Sequence, residues 1–291
     1  MVITVKDLMT IEQPTLCPGC GDYGILNTVK QAIPEFAENK NEVLIVTGIG
    51  CGSKLNHFIN SYGFEGLHGR PLPVATGAKL ANPKLKVMVI AGDGDTYGIG
   101  GNHFLHTMRR NIDMTLLVEN NQVYGLTKGQ ASPTTKKGTP SPSTPSGVIE
   151  ESINPMHLAI AAGATFVARA YAFDMMHFKK LIVEAAKHKG FSLIDVFQPC
   201  PTYNRTNSML WYKDNLVNID ALGHDPTDRD AAIKLASNPI VDGKIAYGLF
   251  YKEEGKFTYE GDVANVVGMA PVEQDITNVD IEPLMQRYSW K

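Results

Sequence analysis

Residues Lys86–Asn121 read KVMVIAGDGDTYGIGGNHFLHTMRRNIDMTLLVENN. The stretch opens on an apolar, β-rich run, Lys86–Ala91, and turns at Gly92-Asp93-Gly94-Asp95. It then passes through a helical segment to a second apolar run, Met114–Glu119, followed by Asn120-Asn121. Two such runs joined by a helix-length crossover are what parallel strands buried on both faces require. The alternation extends outward in both directions. Glu42–Thr47 (EVLIVT), Thr165–Ala170 (TFVARA) and Ser192–Phe197 (SLIDVF) read as three further strands. The expected fold is therefore α/β, a largely parallel β-sheet flanked by helices. The clearest helix is Asp174–His188, with Asp174 as N-cap and Gly190 beyond its end. Another is expected over Tyr23–Phe36.

At 291 residues and 43% hydrophobic content the chain has ample material for a core. With 27 Lys+Arg against 30 Asp+Glu, a net charge of -3 leaves no basic footprint, which argues against a nucleic-acid binder. No run is long and apolar enough for a membrane span, and the opening MVITVKDLMTIEQP has no signal-peptide core, so a cytoplasmic chain without a membrane partner is expected. Periodicity fades beyond about residue 205. The expected organisation is a cofactor domain over 1–205 and a C-terminal extension over 206–291, an irregular tail packing on the core or a partner. Thr134–Gly147, punctuated by Pro140, Pro142 and Pro145, reads as a loop: a lid, a binding loop or a mobile connector.

Open parallel sheets collect ligands beyond the carboxyl ends of their strands. Those ends carry Gly48-Ile49-Gly50-Cys51-Gly52-Ser53, Gly92-Asp93-Gly94-Asp95, Asn120-Asn121-Gln122-Val123-Tyr124-Gly125 and Gln198-Pro199-Cys200-Pro201. Asp93 and Asn121 end neighbouring strands, an arrangement that suits Mg²⁺. One carboxylate, one amide oxygen and a backbone carbonyl near Val123 leave coordination positions for a diphosphate. Glycines on either side of Asp93 remove Cβ atoms where backbone would approach phosphates. An ordinary glycine-rich turn capped by Asp93 is the alternative.

These residues, together with the wider text LHGRPLPVATGAKLANP, GDGDTYGIGGNHFLHTMRRNID and NNQVYGLTKGQASPTT, resemble the β subunits of 2-oxoacid:ferredoxin oxidoreductases. The resemblance covers about residues 14 to 205. It implies a thiamine diphosphate-binding fold in which Asp93 and Asn121 ligate Mg²⁺ by side chain and Val123 by its carbonyl. By the same resemblance, Gly50, Cys51, Gly52, Ser53, His68, Gly69, Arg70, Gly92, Gly94, Asp95, Tyr124, Gly125 and Leu126 lie around the cofactor. The implied activity is coenzyme A-dependent oxidative decarboxylation of a 2-oxoacid. Its implied partners are an α subunit, which supplies the carboxylate beside the aminopyrimidine ring, and ferredoxin.

The chain has four cysteines. Cys17-Pro18-Gly19-Cys20 is a C-x-x-C just before the expected helix Tyr23–Phe36, whose dipole would favour thiolate. By itself this motif fits a redox dithiol, half a zinc site or part of an iron–sulphur site. Cys51 and Cys200 end strands and can join it above the sheet, and Cys200-Pro201 has the Cys-Pro form of ferredoxin-type sites. The resemblance implies that Cys17, Cys20, Cys51 and Cys200 hold a four-iron four-sulphur cluster.

Lys54 is a candidate for a substrate carboxylate, and Leu126, Thr127 and Lys128 stand where the family's substrate-facing loop begins. His103, His106, His177, His188 and His224 read as packing or surface residues. Two rival readings remain. Gly48–Ser53 begins like a dinucleotide-binding G-x-G-x-x-G, which suggests a nicotinamide-dependent oxidoreductase. A non-catalytic iron–sulphur or zinc scaffold would explain the cysteines but leave Asp93 and Asn121 without a task.

Overall fold

The computed structural model describes residues 3–289. The strands are β1 (Val43–Thr47), β2 (Tyr62–Glu65), β3 (Lys86–Gly92), β4 (Met114–Asn120), β5 (Val123–Tyr124), β6 (Gln130–Ala131), β7 (Phe166–Tyr171), β8 (Phe191–Phe197), β9 (Leu216–Asn218), β10 (Ile240–Val241) and β11 (Lys244–Lys252). The α-helices are α1 (Gly21–Ala32), α2 (Pro71–Ala81), α3 (Gly101–Arg110), α4 (Pro155–Ala161), α5 (Met175–Lys187), α6 (Met209–Asn215), α7 (Arg229–Ser237), α8 (Tyr259–Val267) and α9 (Glu282–Tyr288). Among the described residues no helix is long and apolar enough to cross a membrane.

The main sheet runs β10-β11-β7-β8-β4-β3-β1-β2, and every pairing from β7 through β2 is parallel. The five strands expected from the sequence are all there, within one residue or two of their expected ends. β4 and β8 are buried along their whole length, as central parallel strands should be. Leu117 points to one face, among Ile25, Val29, Phe178 and Leu181 of α1 and α5. Leu116 and Val118 point to the other, among Leu72, Phe104, Met108 and Met156 of α2, α3 and α4. Helices thus cover both faces and leave the carboxyl edge open.

Some elements differ from expectation. α1 starts at Gly21 and ends at Ala32, and the chain continues as a tight 3₁₀ turn over Ile33–Glu35. Pro34 has no N–H to give and its ring crowds the carbonyl four residues back, so the α-helix stops there. α5 has the expected limits, with the Asp174 side chain accepting from the His177 N–H. The segment after residue 205 packs on the core with more regular structure than its faint periodicity suggests. β11 extends the main sheet antiparallel to β7, β9 and β10 flank β11, and α7 packs near α4. β11 is disguised in sequence by Gly248, at φ 135°, which precedes a shift of register between Leu249 and Tyr251. Gly248 is required there because the carboxylate of Asp220 takes the space of a Cβ. β2 is disguised because it is a short edge strand, exposed along its whole length.

The 134–147 loop is a succession of hydrogen-bonded turns, with a bridge between Ser141 and Thr144 and a bond from Gly138 N–H to Val148 O at 2.7 Å. Its first residues, Thr134 and Thr135, are buried. Of the histidines, His188 is buried and 2.8 Å from Thr165 Oγ1. His177 bonds Asp220 at 2.9 Å and His224 faces Phe250 O at 2.9 Å. These contacts are internal packing.

Candidate active site at the carboxyl edge

A narrow cleft of about 40 Å³ opens beyond the ends of β1, β3 and β4. Its lining includes Gly50, Cys51, Gly52, His68, Gly92, Asp93, Gly94, Asp95, Asn121, Val123, Tyr124, Gly125, Leu126 and Thr127, and also Ile49 and Glu119. Ile49 and Glu119 thereby join the candidate residues of the site. Ser53 is buried outside the lining, Gly69 is buried beside it and Arg70 is exposed.

Asp93 sits at the turn from β3 into a wide π-helical segment, Gly94–Ile99, which leads to α3. Its carboxylate Oδ2 accepts from Ser132 Oγ at 2.6 Å and from the Thr134 hydroxyl. Burial raises its pKa to about 6, and these two hydroxyls oppose that rise. Asn121 Oδ1 accepts from Val123 N–H at 3.0 Å, and its backbone carbonyl accepts from Asn204 at 2.9 Å. The turn after β4 is therefore held from both sides.

The two glycines beside Asp93 have different reasons. A Cβ on Gly92 would meet nothing within 4 Å, so that face is open to a ligand. A Cβ on Gly94 would fall 2.2 Å from the Tyr124 ring, whose hydroxyl donates to Gly94 O. Asp95 works as a staple. Its Oδ1 accepts from Ile49 N–H at 3.1 Å and Gly69 N–H at 2.7 Å, and His68 Nδ1 lies 2.6 Å away. One buried carboxylate thus draws the loops after β1 and β2 together around the cleft.

The loops that carry the cysteines lie at the same edge. Cys17 and Cys20 share one turn, closed by Cys20 N–H to Cys17 O at 3.0 Å, with Gly19 at φ 78°. Gly21 N–H donates to Pro199 O at 3.0 Å, which ties that turn to the residue before Cys200. Gln198 Nε2 donates to Cys20 Sγ at 3.1 Å. A Cβ on Gly125 would touch the sulfurs of both Cys51 and Cys200, at 3.6 and 3.9 Å. The expectation that the α1 dipole favours a thiolate is not met. Burial and the neighbouring Asp22 push the Cys20 thiol up, and burial and Asp22 raise Cys51 to about 11. Desolvation outweighs the helix terminus, so an ionised set of sulfurs here needs a strongly cationic occupant. Among the described residues no group of three or more His, Cys, Asp or Glu side chains is arranged to hold a metal ion.

Glu119 is the penultimate residue of β4 and is fully buried, its pKa raised by burial and by the charges of Asp22 and Asp93. The signal in the sequence is a charged residue closing the otherwise apolar run MTLLVE. The Lys54 charge acts on Asp22 and Cys51, and Lys54 does not line the cleft. Leu126 and Thr127 line it near the surface, with Thr127 bonded to Gln130. Lys128 is exposed. Gly48–Ser53 leads into a 3₁₀ segment, Gly52–Phe58. It lacks the α-helix N-terminus on which a dinucleotide pyrophosphate rests, which removes the basis for a nicotinamide site.

Residues 48–196 match the family model for the C-terminal TPP-binding domain of thiamine pyrophosphate enzymes, and residues 200–267 match that for the C-terminal part of the pyruvate ferredoxin oxidoreductase beta subunit. A 2-oxoacid:ferredoxin oxidoreductase subunit beta from Sulfolobus is 47% identical over 254 residues, 84% of this chain and 83% of the relative. The subunit beta of 2-oxoacid:ferredoxin oxidoreductase 1 from Aeropyrum pernix is 44% identical over 284 residues, 92% and 89% of the two chains. Among solved structures, a chain of the 2-oxoglutarate:ferredoxin oxidoreductase from Magnetococcus marinus, with 2-oxoglutarate, coenzyme A and succinyl-CoA bound, superposes with a TM-score of 0.88. The identity is 36%, and 99% of this chain and 96% of that one are covered. Its sheet, its cleft and its relatives agree: this chain belongs to the family of 2-oxoacid:ferredoxin oxidoreductase β subunits.

Proposed function

We propose that the chain is the cofactor-bearing half of a coenzyme A-dependent 2-oxoacid:ferredoxin oxidoreductase, completed by an α subunit and working in the cytoplasm. The observation that carries this reading is the convergence of two donor sets on one sheet edge. Asp93, Asn121 and Val123 face one cleft, and Cys51, which lines it, shares Gly125 with Cys200.

The oxygen donors fit Mg²⁺, with Asp93 and Asn121 binding by side chain and Val123 by its carbonyl, and with positions left for a diphosphate. The open face of Gly92 fits a phosphate approaching the backbone. Four thiols, Cys17, Cys20, Cys51 and Cys200, are by chemical type the ligand set of a four-iron four-sulphur cluster. Thiamine diphosphate, when bound, supplies an electron sink for loss of CO₂ from a 2-oxoacid, and the cluster supplies one-electron transfer towards ferredoxin.

The chain's own residues bind and orient. Asp95 fixes the loops around the cleft, Tyr124 covers Gly94, and Leu126 and Thr127 form the rim where a substrate enters. Thiamine activation requires a carboxylate beside the aminopyrimidine, and this reading leaves that group to the α subunit. Turnover of pyruvate or 2-oxoglutarate with coenzyme A and a low-potential dye, assayed with and without the α subunit, tests the division of labour. The reading expects activity only in the heteromer; full activity of this chain alone refutes it.

A further inference from the structure

Beneath the cleft lies a buried ion pair that the proposed chemistry does not use. Arg169 on β7 and Asp195 on β8 are register partners, and Arg169 Nε donates to Asp195 Oδ2 at 3.1 Å. Their side chains are 7% and 0% exposed. The guanidinium stacks 4.8 Å from the Phe197 ring centre. A charge pair this deep is not economical as a source of stability, since apolar residues of similar volume would serve as well or better. Its other contacts point to a different task.

Asp195 Oδ1 accepts from Tyr97 OH at 2.9 Å and from Asn120 Nδ2 at 3.0 Å. The amide oxygen of Asn120 faces Thr134 Oγ1 at 2.9 Å, and the same hydroxyl reaches Asp93 Oδ2. The path Arg169, Asp195, Asn120, Thr134, Asp93 is unbroken and buried. It crosses β7, β8 and β4 and ends on the proposed Mg²⁺ carboxylate. Both ends of the Asn120 amide are engaged, so it is not free to turn. Thr134, with one hydrogen shared between the amide oxygen and the carboxylate, is fixed in place. Asp93 is thereby oriented before any ligand arrives.

We infer that Arg169 and Asp195 are positioning residues for Asp93, acting through Asn120 and Thr134 to preset the carboxylate that receives the divalent cation. The inference rests on the reading of Asp93 as the Mg²⁺ ligand. Outer-shell partners of this kind commonly govern metal affinity by about 10–100-fold.

The test uses the purified heteromer stripped of thiamine diphosphate. Calorimetry measures the Kd for thiamine diphosphate in excess Mg²⁺, and scanning calorimetry measures Tm. Thr134→Val removes the relay hydroxyl at nearly constant volume and Thr134→Ser keeps it. Arg169→Met with Asp195→Leu removes both charges together. The expected result is a Kd raised at least tenfold in Thr134→Val and in the double variant, with Thr134→Ser near wild type. A Kd within twofold of wild type in Thr134→Val overturns the inference even if the double variant fails to fold. So does a double variant that folds and binds normally. Asp93→Ala is the separate control. If it binds like wild type, the Mg²⁺ reading itself falls, whereas its loss of binding beside a normal Thr134→Val sinks only the positioning role.

Discussion

The carboxylate of Glu119 occupies the space that a side chain on Gly52 would need: its Oε2 lies 1.1 Å from the position of a Gly52 Cβ. Gly52 follows Cys51, and Glu119 is two residues before Asn121, so this contact joins the thiol-bearing loop to the strand that leads into the Asn121 turn. Gly52→Ala is expected to destabilise the chain by about 1–3 kcal/mol, the usual range for overpacking a close-fitted interior. Glu119→Ala in the same background should recover part of the loss. Urea unfolding of the single and double variants measures this, and equal midpoints for Gly52→Ala and wild type would contradict the packing.

Gly92 and Gly94 should separate in the same way. Gly94→Ala drives a methyl into the Tyr124 ring and is expected to lower Tm by several degrees. Gly92→Ala meets no protein atom, so Tm of the ligand-free chain should hold while affinity for thiamine diphosphate falls. Scanning calorimetry with and without Mg²⁺ and the cofactor distinguishes the two.

The raised pKa of Glu119 has a definite sign in stability. Both states are protonated below the unfolded value near 4.5. As pH rises above it the unfolded chain releases the proton while the native one retains it, so stability is lost until the native pKa is passed. Glu119→Gln removes this dependence. Its stability relative to wild type is expected to be greater at pH 8 than at pH 5, measured by urea midpoints at both. A difference that is flat with pH would show that Glu119 is ionised in the native chain.

Asp93 gives a second pH signature. With burial raising its pKa to about 6, protons compete with the cation below that value. Affinity for Mg²⁺ with thiamine diphosphate should be level above pH 7 and fall about tenfold per unit well below pH 6. Calorimetric titrations at pH 5, 6, 7 and 8 provide the profile. Affinity unchanged at pH 5 would mean that no carboxylate of this kind holds the cation.

The five apolar strands were legible because each is continuous and bounded, and α5 because Asp174 and Gly190 mark its ends. Knowing that parallel strands open toward one edge was enough to bring Asp93, Asn121 and Val123 into one cleft and to place Cys51 in the same lining. Other features depend on three-dimensional neighbours. β11 has the composition of a strand, but Gly248 and the register shift beside it make sense only once Asp220 is seen against them. The thiol of Cys20 looked favoured as a thiolate from its place before a helix, whereas burial decides otherwise. The relay through Asn120 and Thr134 arises from the register of β4, β8 and β7, which no local pattern encodes.

The most direct measurement is cofactor analysis of the anaerobically purified heteromer carrying Asp93→Ala or Cys200→Ser, with iron, sulphide, zinc and thiamine quantified against wild type. The account predicts that Asp93→Ala loses thiamine diphosphate and keeps this chain's iron, and that Cys200→Ser loses that iron and keeps thiamine diphosphate. Thiamine retained at wild-type level in Asp93→Ala, or zinc in place of iron at the cysteines, would contradict it.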